Sequence, residues 1–190
     1  MDYHIELPFS TEELERIQPM DVLYLTGTIF TARDAAHKRM YETILKELGG
    51  RCDPAVTGAV IDDETKSRVL SLLPFDIRGA VIYYLGPTPA KPGQVIGSAG
   101  PTTSGRMDKY TPILLDLGLT GMIGKGRRSD VVTDSIHRNK AIYMGATGGA
   151  GALLSKCIKS AEIIAYEDLG TEAVRKLYVE NFPVTVLEKR

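Results

Sequence analysis

The order of elements along the chain predicts an α/β fold: a mostly parallel sheet with helices packed on it and a second, smaller β layer. Three observations carry this. Short runs rich in β-branched and aromatic residues alternate with helix-length segments between residues 80 and 166, the pattern of strands joined by crossover helices. Helix starts are marked at Ser10 with Glu13 and at Thr31 with Asp34, where a side-chain oxygen can satisfy an orphan backbone N–H. Threonine and glycine recur at strand ends, which points to the second β layer.

Taken in order, Ser10 and Glu13 form a capping box that opens a short helix ending near Gln18-Pro19. Residues 22–30 (VLYLTGTIF) read as one strand with a bulge, or as two short strands meeting at Gly27. The next helix runs to Leu48 and stops at Gly49-Gly50; Ala36, Met40, Ile44 and Leu48 recur every fourth residue as one buried stripe. A strand over 54–61 and a helix over 62–73 follow, then a strong strand over 80–85. Residues 86–105 are dense in Gly, Pro, Ser and Thr and read as loops around a short strand at 94–97. Helices over 105–117, 129–138 and 150–159 then alternate with strands over 120–124, 141–145 and 162–166. Two last strands are expected around 177–179 and 184–187.

The 190 residues suit one domain spanning 1–190, with 1–20 as an N-terminal segment carrying the short helix. With 43% hydrophobic and 25% charged residues the composition is that of a globular chain. Lys plus Arg number 23 against 24 for Asp plus Glu; that balance argues against a nucleic-acid binder, which needs clustered excess basic charge. No apolar run approaches the roughly 18 residues of a membrane helix, and the acidic N-terminus is unlike a signal peptide. A cytoplasmic protein with no membrane or nucleic-acid partner is expected. Two cysteines, Cys52 and Cys157, and three scattered histidines give no metal-ligand spacing, so no metal site is expected from this chain.

In open α/β sheets ligands collect where strands end and helices begin. Three such junctions pair small residues with cations: Thr26–Thr28 with Arg33, Asp34 and His37; Gly97–Gly105 with Arg106; and Gly124 to Ser129 with Lys125, Arg127 and Arg128. Free N–H groups, hydroxyls and a cation together can bind an anion, and three junctions would suit a small dicarboxylate. A guanidinium grips a carboxylate through two parallel bonds, worth roughly 1.5–3 kcal/mol per charged contact. Basic residues in a first helical turn are also often merely solvated, and glycine–threonine runs are often only turns; spacing alone leaves both readings open. Nucleotide motifs fail: after Gly145-Ala-Thr-Gly148-Gly149-Ala-Gly151 the third glycine position is Leu154, and Gly124-Lys125-Gly126 lacks the earlier glycine and following hydroxyl of a P-loop. No GxSxG surrounds any serine.

Gly100-Pro-Thr-Thr-Ser-Gly-Arg-Met-Asp-Lys-Tyr110, with Leu25–Thr28, Ala32-Arg-Asp34 plus His37, and Gly124-Lys-Gly126 with Ser129, resembles the class I fumarase/tartrate dehydratase hydro-lyases. The likeness is to their β subunit, equivalent to the C-terminal domain of single-chain members, and runs from Leu25 to Val179–Pro183; residues 50–63 depart most from the pattern. The resemblance implies a swivelling β/β/α domain and reversible hydration of fumarate to (S)-malate. It implies a separate α subunit, in an α2β2 assembly, that binds a 4Fe–4S cluster whose open iron takes substrate oxygen. Carried over by position, Arg33 and Arg106 would hold carboxylates, with Thr103 and Gly105 also at the substrate; Lys125 would add charge and a hydrogen bond, and Thr102 would transfer the proton. Asp34, His37 and Asp108 would support them. Ser104-Gly105-Arg106 and Ala32-Arg33 look more like fumarase than tartrate dehydratase, whose pattern has a bulkier residue before the second arginine and a cysteine before the first. A tartrate dehydratase β subunit is the alternative within the family. A non-catalytic dicarboxylate-binding or docking subunit is the alternative of another class.

Overall fold

Strand β2 (Val22–Thr31) organises the sheet in the computed structural model, which describes residues 1–50, 61–147 and 149–189. One edge of β2 carries β1 (Asp2–Glu6) and then β3 (Val81–Tyr83), both parallel to it; its other edge carries β7 (Val174–Glu188) antiparallel along its length. From β3 the parallel order continues through β4 (Gly121–Gly124) and β5 (Ile142–Gly145). The far edge of β7 pairs with β6 (Ile158–Ala165) in its first half and with β5 at its end. Strands β2, β3, β4, β5 and β7 therefore close into a ring.

Alternation along the strands sorts side chains to two cores. Val81, Tyr83 and Leu85 face inward with Leu177, Val179, Phe182, Val184 and Val186 of β7. Ile82 and Tyr84 face outward onto the helices, with Met122 and Tyr143 from the next strands. Those helices are α2 (Asp34–Glu47), α3 (Asp63–Leu72), α4 (Thr111–Asp116) and α5 (Asp130–Arg138). Short helices α1 (Thr11–Arg16) and α6 (Gly151–Cys157) complete the described set. The expected α/β mixture is observed; the described strands form one seven-stranded sheet, in which β7 runs antiparallel to its neighbours.

Several local signals are realised. Ser10 and Glu13 form both bonds of the capping box. Strand β2 is continuous, with a register shift between Leu25 and Gly27, where φ is +130°. Ala36, Met40 and Ile44 are fully buried, and Leu48 packs at the margin of the same core.

Five expectations are corrected. Residues 2–6 of the N-terminal segment form β1, held by backbone pairing although only Ile5 is buried. The helix expected over 105–117 is a 3-10 turn at Ser104–Met107 followed by α4, because Pro112 has no N–H to continue a helix and instead starts one. Residues 94–97 form no strand: Gln94 and Lys91 close a turn by bonds in both directions. The helix expected to reach residue 159 ends at Cys157, since Ile158 already pairs with Val179, and β7 is one strand rather than two. All but the last residue of the strand expected over 54–61, and Cys52, lie outside the described residues.

Candidate functional site

The parallel strands β2, β3 and β4 bring their C-terminal ends to one edge of the sheet, so the three cation-bearing junctions of the sequence become neighbours. At the end of β2, Arg33 is the N-cap of α2 and Asp34 its first helical residue. Asp34 Oδ1 accepts a 2.8 Å bond from Nε of Arg106, and its Oδ2 lies 3.8 Å from Nε of Arg33. Glu172, from the 3-10 segment Glu167–Glu172, is 3.2 Å from Nη2 of Arg33 and accepts from the backbone N–H of Ala35. It thus caps α2 and holds Arg33 at once. Gly86, after β3, gives the guanidinium its space: a Cβ there would collide with Nη1 of Arg33 and stand 2.8 Å from its Cδ.

Thr102 and Thr103 approach Lys125 through the backbone. Thr102 N–H donates to the Tyr84 carbonyl at 2.7 Å, Lys125 N–H to the Thr102 carbonyl at 3.3 Å, and Ser104 N–H to the Lys125 carbonyl at 2.9 Å. Thr102 is half-buried, while Thr103, Gly105, Arg106 and Lys125 are exposed. The Lys125 ammonium makes no hydrogen bond or ion pair among the described residues. Gly105 has room for a side chain, since the nearest atom to a Cβ there is the Arg127 carbonyl oxygen at 3.8 Å. Gly124 does not: a Cβ would overlap Ser104 Oγ and sit 2.8 Å from the Tyr84 ring.

His37 lies behind Arg33 and is fully buried, its ring edge-on to Tyr84 with centroids 5.3 Å apart. Burial pushes its pKa down from 6.5 to about 4; the Arg33 carbonyl raises it, nearby Arg128 lowers it and Asp34 raises it. His37 is therefore neutral near pH 7. Because the Arg33 carbonyl can only accept, Nδ1 must carry the proton that bridges the 3.0 Å to it. Nε2 is then an unprotonated acceptor, buried without a partner among the described residues.

Of the residues the sequence singled out, Arg33, Asp34 and Arg106 are joined in one ion-pair chain, and Thr102, Thr103 and Lys125 in one backbone ladder. Asp108 does not pair with Arg106: it accepts from Arg128 Nε at 2.7 Å and from the Ser129 N–H at 2.7 Å. Sequence reasoning missed Tyr84, Tyr143 and Glu172 as parts of the site, and it named Arg128 only as a cation of the third junction. No local signal separates Arg128 from its neighbour Arg127, and Glu172 lies between the strands read from the sequence at 162–166 and 177–179.

Comparison with known proteins adds the decisive observation: the family model described as Fumarase C-terminus matches residues 2–52 and 60–189. The chain belongs to this family. Within it, the chain is 40% identical over 167 residues to "Fumarate hydratase class I, anaerobic" of Escherichia coli K12, covering 87% of this chain and 26% of that protein. It is 36% identical to "Fumarate hydratase 1, mitochondrial" of Leishmania major, over 95% of this chain and 29% of that protein. It is 30% identical to "Putative L(+)-tartrate dehydratase subunit beta" of Methanocaldococcus jannaschii, over 90% of this chain and 78% of that protein. The chain thus spans between a quarter and a third of these fumarate hydratases and most of the tartrate dehydratase subunit. This member of the fumarase C-terminus family has, among its described residues, no three His, Cys, Asp or Glu placed to hold a metal ion, and no helix long and apolar enough to cross a membrane.

Proposed function

We propose that this chain is the β subunit of a class I fumarate hydratase and that, with a cluster-binding α subunit, it catalyses reversible hydration of fumarate to (S)-malate. The observation that carries this reading is the meeting of Arg33 and Arg106 through Asp34, beside the Thr102–Lys125 ladder, in a chain of the fumarase C-terminus family. A fixed set of cations suits a dicarboxylate: guanidinium groups take the carboxylates as forks, and the Lys125 ammonium adds a third charge. Removing the proton beside a carboxylate builds charge on that carboxylate, and cations already in place lower the barrier. Thr102, adjoining Lys125, is the residue assigned the proton, with the surrounding positive charge favouring its alkoxide; Thr103 and Gly105 line the substrate.

The donor set of the described residues does not fit a 4Fe–4S cluster as its ligands: Cys157 ends α6, with no second described cysteine. In this reading the α subunit holds the cluster, in a cytoplasmic α2β2 assembly. Coverage of 78% of a relative named as a β subunit supports a chain that works as a separate subunit. That name also supports the second reading, an L(+)-tartrate dehydratase β subunit. Anaerobic hydro-lyase assays of this chain, alone and co-expressed with a cluster-binding α subunit, decide. Fumarate turnover only in the mixture establishes the proposal; tartrate turnover only in the mixture establishes the second reading. Activity from this chain alone overturns the division of labour, and dicarboxylate binding without turnover in the mixture makes it a docking subunit.

A further inference from the structure

We infer that Arg128 is the positioning residue of the anion site: it never meets the substrate but fixes the two loops that carry Arg106 and Lys125. This rests on the reading of those two residues as substrate anchors. The Arg128 side chain is only 1% exposed. Its guanidinium reaches three separate segments: Nε donates to Asp108 at 2.7 Å, just past the turn bearing Arg106; Nη1 donates to the Tyr84 hydroxyl at 2.9 Å; Nη2 donates to Thr111 Oγ1 at 2.7 Å, at the start of α4. Its carbon centre lies 5.3 Å from the Tyr84 ring and 5.1 Å from the Tyr143 ring, both cation–π contacts.

The groups around it carry the constraint outward. Asp108 uses its second oxygen on the Ser129 N–H, so the 3-10 turn is bonded twice to the loop after β4. The Gly126 carbonyl can only accept, so the Tyr143 hydroxyl donates to it at 2.7 Å and takes its other bond from Ser104 Oγ at 2.9 Å. Tyr84 also supplies the carbonyl that receives the Thr102 N–H. Each loop bearing Thr102, Arg106 or Lys125 is thus tied to Arg128 or to a ring that Arg128 touches. A buried ion pair is a poor device for stability alone, since apolar packing of the same volume often serves as well or better. A planar fork with five donors is, by contrast, suited to fixing three acceptors in one geometry.

The test is Arg128→Lys in the assembled complex, which keeps the charge and loses the fork. Hydrogen exchange should accelerate in residues 102–108 and 124–129 while β2 and β7 stay protected. KM for fumarate should rise about tenfold with kcat changed less than about threefold. A merely structural defect would reduce the fraction of active molecules and lower apparent kcat at constant KM; that result, or unchanged exchange in both loops, overturns the inference. Should the lysine variant not fold, Tyr143→Phe removes the hydroxyl that joins Gly126 to Ser104. It should move exchange and KM the same way by a smaller factor, and no movement in either overturns the inference. Absence of fumarate turnover in the wild-type complex would instead count against the proposed function, and the exchange measurement would then decide the inference alone.

Discussion

Asp34 and Arg106, 72 residues apart, are joined by a 2.8 Å bond from guanidinium Nε to carboxylate Oδ1, and the same carboxylate reaches toward Arg33. Asp34 could be a mere competitor for the arginines or the fixture that orients them. The two roles give opposite signs. Removing a competing anion would lower KM for a dicarboxylate, whereas releasing two forks from their shared partner raises it. Asp34→Asn is expected to raise KM about tenfold, with little change in melting temperature because Arg106 is 50% exposed and such pairs contribute about 0–1 kcal/mol. Steady-state kinetics and a thermal melt of the same sample separate the roles; a fall in KM makes Asp34 a competitor.

Arg106→Lys and Thr102→Ala probe binding and chemistry in turn. A lysine at 106 loses both the bidentate grip and the Nε bond to Asp34, so kcat/KM for fumarate is expected to fall by about 10²-fold or more. An unchanged value would remove Arg106 from the anchors. Thr102→Ala keeps the backbone ladder with Tyr84 and Lys125 and deletes only the hydroxyl. A loss of about 10²–10⁴ in kcat is the expected cost of a positioned proton transfer; near-normal turnover would end that assignment.

What the sequence made legible was local. The capping box at Ser10, the bulge at Gly27 and the Ala36–Met40–Ile44 stripe are each set by residues within a few positions of one another. Strand β1 was illegible because Asp2, Tyr3, His4 and Glu6 leave only Ile5 to mark a buried face; its pairing with β2 is made by the backbone. Closure of the sheet by β7 depends on contacts between residues such as Leu25 and Phe182, which no window of sequence contains. The site divides in the same way. Its cations stand at strand-to-helix junctions and could be read, but their counter-charges arrive by tertiary folding. Asp108 adjoins Arg106 in sequence yet binds Arg128, and Glu172 reaches Arg33 from the far end of the chain.

Gly124 tests how tightly the ladder is packed. Its backbone is not left-handed, so alanine there is opposed by space alone. The added Cβ would meet Ser104 Oγ and the Tyr84 ring, and Ser104 is already fixed by the Tyr143 hydroxyl. Gly124→Ala is expected to cost about 1–3 kcal/mol, the usual range for overpacking a filled core. That corresponds to about 2–4 °C of melting temperature per kcal/mol at this chain length. Gly105→Ala, one residue beyond Ser104 but facing open space, is the matched control and should melt within about 0.5 kcal/mol of wild type. Equal melting temperatures for the two variants would mean that the contact at Gly124 relaxes freely.

His37 gives a pH dependence that can be separated from that of the carboxylates. Its pKa is about 4 in the folded chain against 6.5 ordinarily, because burial excludes the imidazolium. Between those values the unfolded chain binds a proton that the folded chain does not, so stability rises with pH across the window and falls as the solution is acidified. The full difference corresponds to about 3 kcal/mol, present above pH 6.5 and lost by about pH 4. Asp76, held near 2 by hydrogen bonds and the charge of Arg78, loses its contribution only below its ordinary 3.8, outside the histidine window. Urea unfolding at pH 7 and at pH 4.5 should show a steep decline for wild type. His37→Asn has no imidazole to protonate and should decline much less over the same interval. Parallel declines in the two proteins would mean that His37 is protonated in place, with its Nε2 finding a partner in the folded chain.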